Sequence, residues 1–150
     1  MRKTAVITAV IVALGCASVV VAKDRTKGAI AARKAAFTLI ATNFGPMGAM
    51  AKDKMPFNHE AFTMRAANLE MLAKMPWEFF IPGSEKGRTH AKPEVWSKAD
   101  DYKKKADEFQ QEVAKLAEVS KGDDKKAMFA QVGKVGKTCK ACHKEYKEKD

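Results

Sequence analysis

Cysteine is scarce in this sequence: there are three in 150 residues, and one of them, Cys16, sits in an N-terminal stretch that reads as an export signal. The two that remain, Cys139 and Cys142, are too few for a disulfide framework, so the mature chain must be held by packing and by whatever it binds. Long hydrophobic runs are missing as well. The apolar run Ala5 to Leu14 is too short and wrongly flanked for a membrane span, which needs about 18 residues, and no other segment approaches that length. Strand signals are almost absent, which removes the βαβ setting that a thioredoxin-like cysteine pair requires. Acidic residues are outnumbered, 18 against 28 basic ones. A basic chain first suggests nucleic acid, but here the lysines are scattered over several predicted helices and export takes the chain away from that partner. Lys103 to Lys105 and the lysine-rich tail read as solvated faces, with an acidic redox partner or a membrane surface as the second reading.

What is present begins with the terminus. Arg2 and Lys3, the apolar run, and Val20-Val21-Ala22 ahead of Lys23 supply the three parts of a secretory signal, cut after Ala22. Leu14-Gly15-Cys16 is also readable as a lipoprotein site, but Ala13 is a poor residue three before that cysteine and Val19 to Val21 follow it. Export and cleavage give a periplasmic chain of residues 23–150, one domain with room for a single core. Its formal charge falls from +10 to +8 with the loss of Arg2 and Lys3.

The densest chemistry is Cys139-Lys140-Ala141-Cys142-His143. Two thiols three apart on a helix can both reach the vinyl groups of a haem while the adjacent imidazole ligates its iron, so the run reads as a c-type haem attachment site. A zinc site would need a fourth ligand and a more open spacing.

Four helices follow from periodicity and punctuation. The first is expected from Asp24 to Asn43, stopped by Gly45-Pro46, with Ile30, Arg33, Phe37, Ile40 and Phe44 inward. Arg33 is the misfit on that stripe. A guanidinium there must be paired or must escape to water, because an unpaired buried charge costs on the order of several kcal/mol; a haem propionate is the natural partner, and snorkelling to solvent is the other reading. The second helix fits Asn58 to Lys74, capped by Asn58, with Phe62, Ala66, Leu69 and Ala73 inward. A long connection, Met75 to Lys92, carries Pro76, Pro82, Gly83 and Gly87, with Trp77, Phe79 and Phe80 at its start. The third helix opens at Pro93 and extends to about Ser120, its buried face being Trp96, Ala99, Ala106, Phe109, Val113 and Leu116. Gly122 ends it and Asp123 caps the fourth, which carries Phe129, Val132, Val135, Cys139, Cys142, His143 and Tyr146. Gly133 and Gly136 within that helix suggest that something bulky approaches its backbone.

Taken together, Arg33-Lys34-Ala35-Ala36-Phe37 with Phe44-Gly45, Pro76-Trp77, Pro82-Gly83, Pro93-Glu94-Val95-Trp96-Ser97, and Val135-Gly136 ahead of the haem motif and Lys144-Glu145-Tyr146 resemble the cytochrome c′ family over essentially the whole mature chain. The resemblance implies an all-α, antiparallel up-down-up-down four-helix bundle with one covalently bound haem c. It implies that Cys139 and Cys142 hold the haem, that His143 is the only protein ligand to iron, that Arg33 meets a propionate and that Lys34 lies beside the haem edge. Phe37 then falls at the distal position, where low-spin relatives carry Met. The sequence departs from the family at Lys147, where Arg is usual on the proximal side, and in a longer loop before Pro93, where His90 or Thr89 is placed to touch a propionate. His59 is expected to be exposed, and Met47, Met50, Met55, Met64, Met71 and Met75 to fill gaps.

Phe cannot ligate iron, so the reading is a non-enzymatic, five-coordinate haem protein that binds nitric oxide or carbon monoxide, for nitric oxide binding or detoxification and with some electron transfer from a redox donor protein. A soluble low-spin electron carrier is the alternative, and a weak peroxidase or nitric oxide reductase a third, although no distal His or acid is placed for proton transfer. The resemblance also implies a homodimer paired through the first two helices.

Overall fold

The computed structural model describes the backbone from Thr4 to Lys149 and the side chains from Arg25 to Lys149. The expected signal, residues 1–22 with Cys16, lies outside the described side chains. Among the described residues five α-helices carry the fold, α1 (Thr4–Met50), α2 (His59–Leu72), α3 (Glu94–Ser97), α4 (Ala99–Val119) and α5 (Lys125–Tyr146), with one 3-10 turn at Pro76–Phe79. Among the described residues no helix is long and apolar enough to cross a membrane.

The long helices α1, α2, α4 and α5 form the up-down-up-down bundle, each packing against its neighbours around the ring. Their inward stripes meet in one core of Ile40, Met47, Phe62, Leu69, Phe109, Val113, Leu116, Met128 and Val135. A second, aromatic cluster of Val95, Tyr102 and Tyr146 sits at the end where α4 begins and α5 finishes, and Trp77 packs against both. At the other end His59 Nε2 and Thr63 Oγ1 both reach the Ser120 carbonyl, at 3.0 and 2.7 Å, tying the start of α2 to the end of α4.

Several boundaries differ from expectation. α1 does not stop at Gly45-Pro46; it runs through Pro46 to Met50, burying Met47 and Met50. Proline at 46 has no N–H to offer the Thr42 carbonyl one turn earlier. Arg65 of α2 donates to that carbonyl at 3.3 Å instead, so the missing helical bond is replaced from the neighbouring helix. The third helix is broken at Lys98 (φ −121°, ψ 46°) into α3 and α4, which leaves Ala99 exposed and puts Val95 and Tyr102 in the core. The break lets the Trp96 indole fold back to donate to the Phe80 and Ile81 carbonyls, both at 3.2 Å, while Tyr102 enters the aromatic cluster. The cap of α5 is Asp124, accepting from Ala127 N at 2.9 Å, rather than Asp123. Asn58 caps α2 as expected, accepting from Ala61 N at 2.8 Å. Nothing described would meet a Cβ on Gly133, and one on Gly136 would meet the Phe44 ring at an ordinary 3.8 Å.

The connection from α2 to α3 lies over the start of α1. Gly83 (φ 86°) and Gly87 (φ 115°) take left-handed conformations that other residues rarely adopt, and a Cβ on Gly87 would stand 3.3 Å from Ile30. The end of the connection pairs with the C-terminal tail: Lys92 N donates to Tyr146 O at 3.0 Å and Glu148 N to His90 O at 2.8 Å.

Candidate cofactor site

Cys139 and Cys142 are one helical turn apart on α5, both half-buried free thiols. Cys139 packs against the main core and Cys142 against the aromatic cluster, so the pair straddles the seam between the two. Burial raises both thiol pKa values, that of Cys142 to about 11, so both are protonated at neutral pH. A thioredoxin-like pair needs the opposite, a lowered pKa that supplies thiolate. Among the described residues no three His, Cys, Asp or Glu are grouped to hold a metal ion, so the zinc reading lacks its ligands.

His143 follows Cys142 on the outer side of α5 and is exposed. Desolvation by the surrounding chain, and after it the charge of Lys147, holds its pKa below the ordinary value. That favours neutral imidazole, the form that ligates a metal. It shares an open depression with Lys140, Lys144, Lys147 and Lys149. Lys147 is where α5 ends, its extended backbone bridged to Ala91.

Arg33 faces this region from α1 and is only 2% exposed, so it does not snorkel. It is paired, but through the crossover loop: one guanidinium nitrogen donates to Ser84 Oγ at 2.7 Å and Phe79 O at 3.4 Å, the other to Ser84 O and Thr89 Oγ1, both at 2.7 Å. The Phe80 and Trp96 rings lie 4.7 and 5.5 Å from its central carbon, so the cation is also held by π faces. Desolvation lowers its pKa, opposed by Tyr102 and Glu85. Among the described residues no carboxylate is within ion-pair distance of it, and one Glu85 oxygen is buried with no hydrogen-bond partner.

Phe37 stands one turn beyond Arg33 on the same face. Its ring meets the edges of Trp77 (centroids 5.9 Å, planes 84°) and Phe80 (6.4 Å, 71°), forming an aromatic wall whose one N–H, on Trp77, is taken by the Ala73 carbonyl at 2.6 Å. Lys34 is exposed beside it. Of the two loop candidates, Thr89 touches Arg33, whereas His90 is exposed and joins the tail through its carbonyl. His59 is at the opposite end of the bundle. Of the methionines, Met47 and Met50 fill the core, whereas Met55, Met64, Met71 and Met75 are exposed.

Two protonated thiols on one helical face, an adjacent neutral imidazole, an aromatic wall and a buried cation fit a covalently attached haem. Sequence reading missed Ser84, whose only signal is its place after the Pro82-Gly83 turn, and the arrangement of Trp77, Trp96 and Tyr102.

A family model described as Cytochrome C' matches residues 28–147. The cytochrome c' of Rubrivivax gelatinosus is 44% identical over 122 residues, which are 81% of this chain and 95% of that protein. The structure of cytochrome c prime from Shewanella frigidimarina, also 44% identical, superposes with a TM-score of 0.81 over 83% of this chain and 97% of its own. A nitric oxide complex of a cytochrome c prime mutant from Alcaligenes xylosoxidans is 35% identical, with a TM-score of 0.77 over 83% of this chain and 97% of its own.

Proposed function

The chain belongs to the cytochrome c′ family, and from that premise we propose that it is a periplasmic haem protein with five-coordinate iron that binds nitric oxide or carbon monoxide. Its cofactor is a covalently attached haem c. In this reading Cys139 and Cys142 form the thioethers, His143 ligates the iron, and residues 1–22 are the signal removed on export. When bound, the haem supplies a redox-active iron with a coordination position for a diatomic ligand.

The observation that carries the reading is Phe37. At the position that the family resemblance assigns to the distal face, the chain carries a hydrocarbon ring, held edge-on by Trp77 and Phe80, and no thioether, imidazole or carboxylate. The nitric oxide complex of the Alcaligenes relative supports the same ligand class here. An absorption spectrum of the purified ferrous protein tests it: a high-spin five-coordinate spectrum is expected, with haem that resists acid-acetone extraction. A low-spin ferrous spectrum would hand the protein to the electron-carrier reading, and freely extracted haem would end the thioether assignment.

The homodimer that the resemblance implies is supported by exposed apolar residues on α1, on α2 and just after α2. Leu39, Met64, Met71 and Met75 are each 50 to 64% exposed. Asn68 Nδ2 donates to Asn43 Oδ1 at 3.4 Å across the groove between the two helices, and Leu39 and Met64 lie one turn before those asparagines. We expect Met64→Lys with Met71→Lys to raise the dimer dissociation constant roughly tenfold or more, because buried charge is disfavoured at the centre of such interfaces. Sedimentation equilibrium decides; an undisturbed dimer places the interface elsewhere.

A further inference from the structure

Oxidisable side chains are gathered at the end of the bundle where the thiols lie. The chain's only two tyrosines, Tyr102 and Tyr146, meet with ring centroids 5.1 Å apart. Trp77 is 5.8 Å from Tyr102 and 5.9 Å from Phe37, so aromatic edges run unbroken from the distal ring to Tyr146. Cys142 packs against the same cluster, which therefore begins at the attachment point of the cofactor.

The two phenols differ in what receives their proton. Tyr102 is buried and has no hydrogen-bonded carboxylate among the described residues. Tyr146 donates to Asp101 Oδ2 at 2.6 Å, the length of a charge-assisted O–H···O− bond. That bond is the chief cause holding the Asp101 carboxyl below its ordinary pKa, so Asp101 is ionised at neutral pH. Asp101 is itself exposed, with Lys105 at 3.9 Å, and Lys105 is 3.4 Å from Glu145. A buried phenol thus has an ionised proton acceptor on one side and an aromatic path to the cofactor on the other.

We propose that Tyr146, with Asp101 as its proton acceptor, is a redox-active tyrosine that carries oxidising equivalents from the cofactor to the protein surface after attack by a peroxide. The proposal rests on the haem reading above. The peroxide takes two electrons, and two protons from solvent, as its O–O bond breaks to give two waters. Reduced haem iron would supply one electron and end ferric, and Tyr146 supplies the other through Tyr102 and the Cys142 edge. The Tyr146 O–H bond breaks as that electron leaves, and its proton passes to Asp101 Oδ2. The products are a neutral phenoxyl radical and a carboxylic acid that exchanges its proton with water. Losing the electron alone would leave a cation in an apolar cluster, where desolvation opposes it. Moving the proton to a carboxylate already within hydrogen-bond reach removes that cost.

Two tyrosines make the assignment clean. The holoprotein, its covalent haem verified by pyridine haemochrome, is mixed with hydrogen peroxide and freeze-quenched for electron paramagnetic resonance. In a second arm tris(bipyridine)ruthenium(III), generated by a light flash, supplies the oxidant independently of the haem. A tyrosyl radical is expected in both arms, lost in Tyr146→Phe, retained in Tyr102→Phe at reduced yield, and formed roughly tenfold more slowly or worse in Asp101→Asn. A radical that survives Tyr146→Phe, or a rate indifferent to Asp101→Asn, overturns the proposal, as does peroxide consumption with no tyrosyl radical. If no covalent haem is found, the functional reading fails by itself and the ruthenium arm alone decides whether Tyr146 and Asp101 form an oxidisable pair.

Discussion

Arg33→Ala lowers the free energy of unfolding by about 2 to 4 kcal/mol and loosens the crossover loop. The size follows from what the guanidinium does: four donor contacts to the segment 79–89, three of them at 2.7 Å, and contact with two aromatic faces. Net worth per charged hydrogen bond is about 1.5 to 3 kcal/mol, and such contacts within one network do not simply add. Part of the loss is recoverable, because the Ser84 hydroxyl still donates to the Ile81 carbonyl at 2.7 Å. Lys in place of Arg keeps the charge but not the planar fork that spans Ser84 and Thr89, so it should restore less than half of the deficit. Chemical denaturation gives the energy, and hydrogen exchange at the Ser84 amide reports the loop. An unchanged midpoint with unchanged exchange would mean that the guanidinium does not hold this loop. A propionate at this site would share Arg33 with the loop, and a shift in haem potential on Arg33→Ala, measured beside the stability change, separates the two roles.

Arg33 also shows how far the sequence could be read. Its place on an apolar stripe was legible because helical periodicity makes a charge among Ile30, Phe37 and Ile40 an anomaly needing a partner. The partners were not legible: Ser84 and Thr89 are 51 and 56 residues away in a connection that has no periodicity to fix its path. The same limit explains the first helix. Gly45-Pro46 is a sound stop signal locally, and continuation is supported by contacts it does not encode: Arg65, arriving on another helix, takes up the Thr42 carbonyl, and Met47 and Met50 enter the core. The third helix breaks where Trp96 and Tyr102 both turn to Phe80, Trp96 through its indole N–H to the Phe80 carbonyl and Tyr102 through its ring, and a shared partner on a distant connection is not encoded by any stripe along a single helix. By contrast the relation among Cys139, Cys142 and His143 was legible from spacing, since three residues on one helix keep their relation whatever the rest of the chain does, whereas the distal role of Phe37, on another helix, was implied by the family resemblance.

Phe37→Ala is expected to bind carbon monoxide more tightly and faster than wild type, and Phe37→Met to turn the ferrous protein low-spin. If the ring covers the sixth position, a diatomic must displace it and break its edge contacts with Trp77 and Phe80. Aromatic pairs of this kind are worth about 0.5 to 1.5 kcal/mol each, so displacement costs about 1 to 3 kcal/mol. At 1.4 kcal/mol per factor of ten, removing the ring should raise affinity roughly 5- to 150-fold. Most of that should appear in the association rate, because the closed ring obstructs entry and the binding-competent population is the fraction in which it has swung away. Met at the same position replaces an obstruction by a soft sulfur ligand that can reach iron. Flash photolysis of the carbon monoxide complex and ferrous absorption spectra measure the two effects on the same samples. Equal affinities in wild type and Phe37→Ala would show that the ring does not lie over the iron. A low-spin wild type would point instead to a ligand elsewhere, and the exposed side chains of Met64, Met71 and Met75 would then have to be tested one by one.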